Sequence, residues 1–125
     1  MSHAPSQAYR KGAILAATPG ELVVLLYDGA KRFLRQATVS IRAGEIERAH
    51  HALRRAEMII THLDGTLDDE QGEISERLHG IYAFCLTQLL RARLEQEAAR
   101  IDEVAGLLTE LRGAWEQAAN EMARA

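Results

Sequence analysis

Aromatic side chains make up only 5% of this 125-residue sequence. That scarcity weighs against an all-β fold, whose strands favour aromatic and β-branched residues. There is one cysteine, Cys85, which excludes an intramolecular disulfide and with it a stapled secreted scaffold; a reducing compartment suits the chain. The longest strongly apolar run, residues 22–27, is far too short to cross a bilayer, and residues 1–11 lack the apolar core that follows a basic start in a secretory signal. A cytoplasmic protein without membrane insertion is expected. Positive charge is also in deficit: the formal net charge is −3 and the isoelectric point about 5.9, against the clearly basic face that nucleic-acid binding requires. Arg42, Arg48, Arg54 and Arg55 do cluster, but Glu45, Glu47 and Glu57 lie among them, so the cluster reads as a solvated, salt-bridged helix face. No glycine-rich phosphate loop is present.

What the sequence does have is apolar residues, 47% of the total, rich in Leu and Ala, which points to an all-α fold in a single domain. Residues 1–17 mix Pro5, Ser6 and Gly12 with Tyr9, Ile14 and Leu15. They are too irregular for a long helix and too apolar for a solvated tail, so they read as a segment that docks. Thr18-Pro19-Gly20-Glu21 is a helix start: Thr18 caps, Pro19 suits the first helical position and Glu21 completes a capping box. Leu22, Leu26, Phe33 and Ala37 then recur at helical multiples until Gly44 supplies a left-handed stop, giving a helix over 19–43. A second helix, 46–64, carries Ile46, Ala49, Leu53, Ala56, Ile60 and Leu63 in steps of three and four. The acidic, glycine-bounded residues 65–72 form a turn. A third helix, 73–97, aligns Ile74, Leu78, Ile81, Tyr82, Cys85, Leu89 and Ala92. A fourth, 101–123, aligns Val104, Leu108, Leu111, Trp115, Ala118 and Met122; its start lacks Gly, Pro or a clear cap. Four such helices predict an antiparallel up-down four-helix bundle over 18–125, crossing at ~20°, with residues 1–17 as an N-terminal lid.

The first helix is more apolar than one buried stripe demands. Beside Leu22, Leu26 and Phe33 it has Val23, Leu25, Tyr27, Ala30 and Leu34, so it is apolar over more than half its circumference. A central helix or a homodimer face would account for that; so would a groove that receives another segment. The apolar N-terminal segment is a natural local cover for such a groove.

These residues resemble a known family, the flagellar export chaperones called FliS. The resemblance begins at Ala8-Tyr9 and is most specific in Ala17-Thr18-Pro19-Gly20-Glu21-Leu22 and Leu25-Leu26-Tyr27-Asp28-Gly29-Ala30. It continues through Ala56, Ile59-Ile60, Leu63, Leu67-Asp68, Gly72-Glu73-Ile74, Leu78, Ile81-Tyr82, Leu107-Leu108, Glu110-Leu111-Arg112 and Ala114-Trp115. Ile81 stands where the family commonly has Leu, and Arg93-Leu94 replaces small and amide residues. The resemblance implies a cytoplasmic chaperone that holds flagellin's disordered C-terminal segment, blocks premature assembly and delivers the subunit to the export apparatus, with export-gate components as further partners. It implies no cofactor and no metal. Tyr9, Leu22, Leu25, Leu26 and Tyr27 are the expected flagellin contacts on a monomer or weak homodimer, and residues around Tyr9 to Leu15 are expected to cover the groove until the client displaces them. Asp28, four residues before Arg32, is expected either to form a surface pair with it or to contact the client.

Two other function classes share parts of this pattern. Glu47-Arg48-Ala49-His50 and Glu76-Arg77-Leu78-His79 match the Glu-x-x-His spacing of ferritin-like di-metal bundles. At about 100° per residue, however, Glu47 and Glu76 point away from their helices' apolar stripes, and the first and fourth helices put no Glu on theirs. His50, His51 and His62 have no carboxylate or cysteine at ligand spacing. A histidine phosphotransfer module would use His79, but no lysine follows at helical spacing to hold a phosphoryl group. Cys85 sits on an apolar stripe, where a thiol is inert. No catalysis is expected.

Overall fold

The computed structural model describes residues 19–68, 70 and 72–124; the docking segment over 1–17, with Tyr9, and the cap at Thr18 fall outside them. Four helices follow in order: α1 (Pro19–Arg42), α2 (Ile46–Gly65), α3 (Glu73–Glu95) and α4 (Ala98–Arg124). α1 stops where the sequence places its glycine. Gly44 adopts φ +75° and the Glu45 N–H reaches back to the Ser40 carbonyl at 2.8 Å, a six-to-one closure that occupies an otherwise orphaned carbonyl. The acidic turn is anchored to α3 by the Ser75 hydroxyl, which donates to the Asp68 carbonyl at 2.5 Å.

The junction between α3 and α4 departs from the expected one. Gln96 takes the left-handed conformation, with φ 55°, and α4 begins at Ala98 rather than near 101. Arg100 then ties the corner, its Nε donating to Glu97 at 2.8 Å and to Glu95 at 3.1 Å. A glutamine bears this backbone at some cost that a glycine would avoid, and for that reason the sequence carries no visible break.

Each helix packs against its chain neighbours and α1 closes the ring against α4, the arrangement short connections impose on an antiparallel bundle. α1 is approached more closely by α2 and α4 than α3 is, because small residues lie on those seams. A Cβ on Gly29 would sit 3.4 Å from Ile59 Cδ1, and one on Gly20 would sit 3.2 Å from Ala119 Cβ. Ala30, Ala37, Ala49, Ala52 and Ala56 are buried beside them. Leu34, Leu53, Ile60, Leu89, Ile101, Val104 and Leu108 fill the interior around Tyr27 and Tyr82, each contributing about 1.5–3 kcal/mol of burial.

Polar ties across the seams differ from those the sequence suggests. Asp28 does not pair with Arg32; it accepts from Arg112 of α4, at 2.6 Å from Nε and 3.3 Å from Nη2. A partner on the facing helix offers the guanidinium two parallel bonds that a neighbour along the same helix does not. The arginine cluster is only partly salt-bridged. Arg42 crosses to Asp102 at 3.1 Å, Arg48 meets Glu45 at 3.2 Å, and Glu57 turns away to Arg93. Arg54 and Arg55 have no carboxylate partner among the described residues.

Candidate functional site

The helical stripes are not covered along their whole length. At the end of the bundle where α1 and α3 begin and α2 and α4 finish, a cleft of about 650 Å³ opens between the four helices. α1 contributes Pro19, Leu22, Val23 and Leu26, and α2 and its exit contribute Leu63, Thr66 and Leu67. Ile74, Leu78 and Tyr82 come from α3, and Trp115 and Met122 from α4. Several of these are stripe residues that periodicity assigns to a core, yet Leu22 is 37% exposed, Ile74 64% and Met122 81%. Large apolar side chains converging on one opening, with polar groups confined to His62, Thr66, Asp68 and Ser75, mark a surface built to be covered.

Under the cleft lies a buried polar bridge. The Tyr27 and Tyr82 hydroxyls meet at 2.5 Å, joining α1 to α3 across the bundle. Burial pushes both phenols above their usual ionisation, while for Tyr27 the bond to Tyr82 and the nearby Trp115 indole N–H pull the other way. Beside this pair, His79 of α3 engages Asp64 of α2 through Nδ1.

The expected contact residues separate into distinct environments. Leu22 and Leu26 line the end cleft. Leu25 is half-buried and faces another groove, of about 350 Å³, between α1 and α4 with Val24, Asp28, Arg112 and Ala119. Tyr27 lies elsewhere: it is fully buried, because its ring points into the core and its hydroxyl is taken by Tyr82, so it supports the cleft from below. Tyr9 is outside the described residues. Ile74, Leu78 and Met122 are cleft residues that sequence reasoning assigned to core stripes; their position near helix ends is the one signal that distinguishes them.

The groups that suggested other chemistry are placed apart. Glu47 and Glu76 are both exposed, each near the start of its helix, and in an antiparallel pair the starts of α2 and α3 lie at opposite ends of the bundle. Among the described residues no group of three His, Cys, Asp or Glu side chains is placed to hold a metal. Cys85 is fully buried, and burial, with the Glu103 charge, pushes its thiol up to about 11, where it stays protonated and unreactive. Among the described residues no helix is long and apolar enough to cross a membrane.

Comparison with known proteins agrees with this architecture. The family model described as Flagellar protein FliS matches residues 1–122. The chain belongs to the FliS family. It is 34% identical to the flagellar secretion chaperone FliS of Bacillus subtilis, over 91% of this chain and 85% of the relative. It is 35% identical to the Salmonella typhimurium chaperone of the same description, over 90% of this chain and 84% of that one. A crystal structure of a flagellar chaperone from bacteria superposes with a TM-score of 0.78, at 18% identity, over 94% of this chain and 98% of the other; that likeness concerns the fold. FliS is a family of flagellar secretion chaperones, not of enzymes.

Proposed function

We propose that this FliS-family bundle acts in the cytoplasm, holding the disordered C-terminal segment of flagellin in apolar grooves beside α1, preventing premature polymerisation and delivering the subunit to the flagellar export apparatus. The observation that carries this reading is the end cleft, where Leu22, Ile74 and Met122 are left exposed at the ends of stripes that become buried further along their helices. A segment that folds on binding spends about 2–5 kcal/mol or more on ordering, and each large apolar side chain it covers returns up to about 1.5–3 kcal/mol. A cleft of this size with a few such anchors is enough to offset the ordering. Leu22 and Leu26 take the client in the end cleft, Leu25 takes it in the groove between α1 and α4, and Tyr27 holds the floor.

In the free protein, residues 1–17 cover the end cleft, with Tyr9 among the residues the client displaces. They lead directly into Pro19 at its edge. They contain no acidic residue and carry Arg10 and Lys11, whereas Asp68 lines the cleft. Flagellin should bind, and flagellin lacking its C-terminal segment should not; equal binding of both refutes the reading. Leu22→Asp and Ile74→Asp should each weaken flagellin binding about tenfold or more while leaving the thermal melt nearly unchanged. Deleting residues 1–17 should change client affinity, and if affinity and the client's hydrogen-exchange protection both stay the same, the lid is refuted.

A further inference from the structure

At the other end of α1 lies a groove of different chemistry. It measures about 680 Å³ and is formed by Arg35, Val39 and Ser40 of α1 with Arg48, His51 and Ala52 of α2. Val39, 62% exposed, is its apolar anchor. Glu47 is the one carboxylate among the lining residues. Arg32 and Arg55 extend the same seam by one turn, and the Arg55 guanidinium lies 5.9 Å from the Phe33 ring centroid, held without an anion.

The contrast with the other seams is what gives this charge its meaning. Arg42 and Arg112 are neutralised across the α1/α4 seam by Asp102 and Asp28, Arg93 across α2/α3 by Glu57, and Arg100 at the α3/α4 corner by Glu95 and Glu97. Along the α1/α2 seam Arg32, Arg35 and Arg55 have no carboxylate partner among the described residues. In a chain of net charge −3, three guanidiniums without a carboxylate partner among the described residues thus lie on or one turn from one groove anchored by Val39, although Arg48 on its wall meets Glu45 and Lys31 on the α1/α4 side also has no carboxylate partner among the described residues. We infer that this α1/α2 groove is a docking site for an acidic polypeptide segment of a protein partner, one that sets an apolar side chain on Val39 and carboxylates against Arg32, Arg35 and Arg55. Bidentate guanidinium–carboxylate pairs supply the recognition. The exposed apolar anchor favours a polypeptide over the uniform phosphate track of a nucleic acid. Val39 and Leu22 are about 25 Å apart along α1 at 1.5 Å per residue, so occupation of this groove leaves the end cleft open and stands independently of what fills that cleft.

The full-length protein is titrated with a fluorescein-labelled amphipathic helical peptide whose glutamates flank a leucine stripe, with the same peptide carrying glutamine in their place, and with an oligothymidine strand of equal charge. The glutamate peptide should bind, weaken as salt is raised, and exceed the glutamine peptide about tenfold or more in affinity. Arg35→Glu and Arg55→Glu should each cut that affinity about tenfold, whereas Arg91→Glu on the exposed face of α3 should leave it unchanged, with helical circular dichroism retained in all three. Val39→Asp should weaken it as well. Equal binding of the two peptides, equal loss in Arg91→Glu, or no loss in Arg35→Glu and Arg55→Glu overturns the proposal. Tighter binding of oligothymidine than of the glutamate peptide overturns it in favour of a nucleic-acid track. Flagellin binding should be the same in Arg35→Glu as in the unmodified protein.

Discussion

The Tyr27–Tyr82 bridge gives a test in which removing more should cost less. Both rings are essentially fully buried, at 0% and 1% exposure, and their oxygens are 2.5 Å apart. Tyr27→Phe leaves the Tyr82 hydroxyl buried without its partner, a loss of about 1–3 kcal/mol. Tyr82→Phe leaves Tyr27 with the Trp115 indole still beside it, so its cost is smaller, about 0.5–1 kcal/mol. In the double variant both oxygens are gone and the ring shapes are kept, a change that can be close to neutral. The double variant should therefore be more stable than Tyr27→Phe alone, with a coupling of about 1.5–4 kcal/mol between the sites, close to the sum of the two single losses. Urea denaturation followed by circular dichroism measures this, with the single tryptophan, Trp115, as a second probe. In thermal melts each kcal/mol corresponds to about 3–5 °C for a chain of this size. Additive losses would refute the buried bridge. Flagellin affinity should hardly change, because the two hydroxyls face each other beneath the cleft.

Three further outcomes follow from burial and charge. Leu53→Ala in the fully buried core should lose about 2–5 kcal/mol in urea denaturation, whereas Leu94→Ala, 74% exposed, should lose less than about 0.5 kcal/mol. The Cys85 thiol ionises at about 11 when folded against 9.0 for the reference thiol, so its contribution is complete below pH 9 and is lost as pH rises from 9 to 11, to a total of about 2–3 kcal/mol. In Cys85→Ala that early alkaline loss should disappear, leaving a decline above 10.0 from Tyr27 and Tyr82, both raised from that value. Asp28→Asn or Arg112→Ala should cost about 1 kcal/mol or less, since the pair is roughly a third exposed and solvent screens it; a double-variant cycle in low and high salt measures the coupling, which should shrink with salt.

Helix positions were legible wherever the backbone demanded a particular residue. Gly44 announces the end of α1 because a left-handed stop is nearly free only for glycine. Gln96 announces nothing, since its left-handed turn is held by the Arg100 contacts to Glu95 and Glu97, which arise only once the corner has formed. Asp28 was misread for a related reason: sequence spacing ranks Arg32 as the near neighbour, and only the closed ring brings Arg112 across from α4. The arginine cluster was read as self-neutralised because Glu45, Glu47 and Glu57 are close along the chain. Folding sends Glu57 to Arg93 and leaves Arg54 and Arg55 without a carboxylate partner among the described residues, so proximity in sequence overstated the pairing.

The candidate site was harder to read, because a residue that binds a client and a residue that fills a core share the same chemistry and spacing. Leu108 and Met122 lie on one stripe of α4, fourteen positions and about four turns apart, yet one is fully buried and the other is 81% exposed. What separates them is helix length. α4 has 27 residues against 23 in α3 and 20 in α2. It therefore exceeds them by four and seven residues, or about 6 and 10 Å at 1.5 Å per residue. Its stripe continues past Ala119, which meets Gly20 at the start of α1, and becomes one wall of the end cleft, with Leu22 and Ile74 lining it from the starts of α1 and α3. An apolar stripe that outruns its partner helices is thus a legible sign of a binding surface, provided that helix ends are fixed independently of the stripe itself.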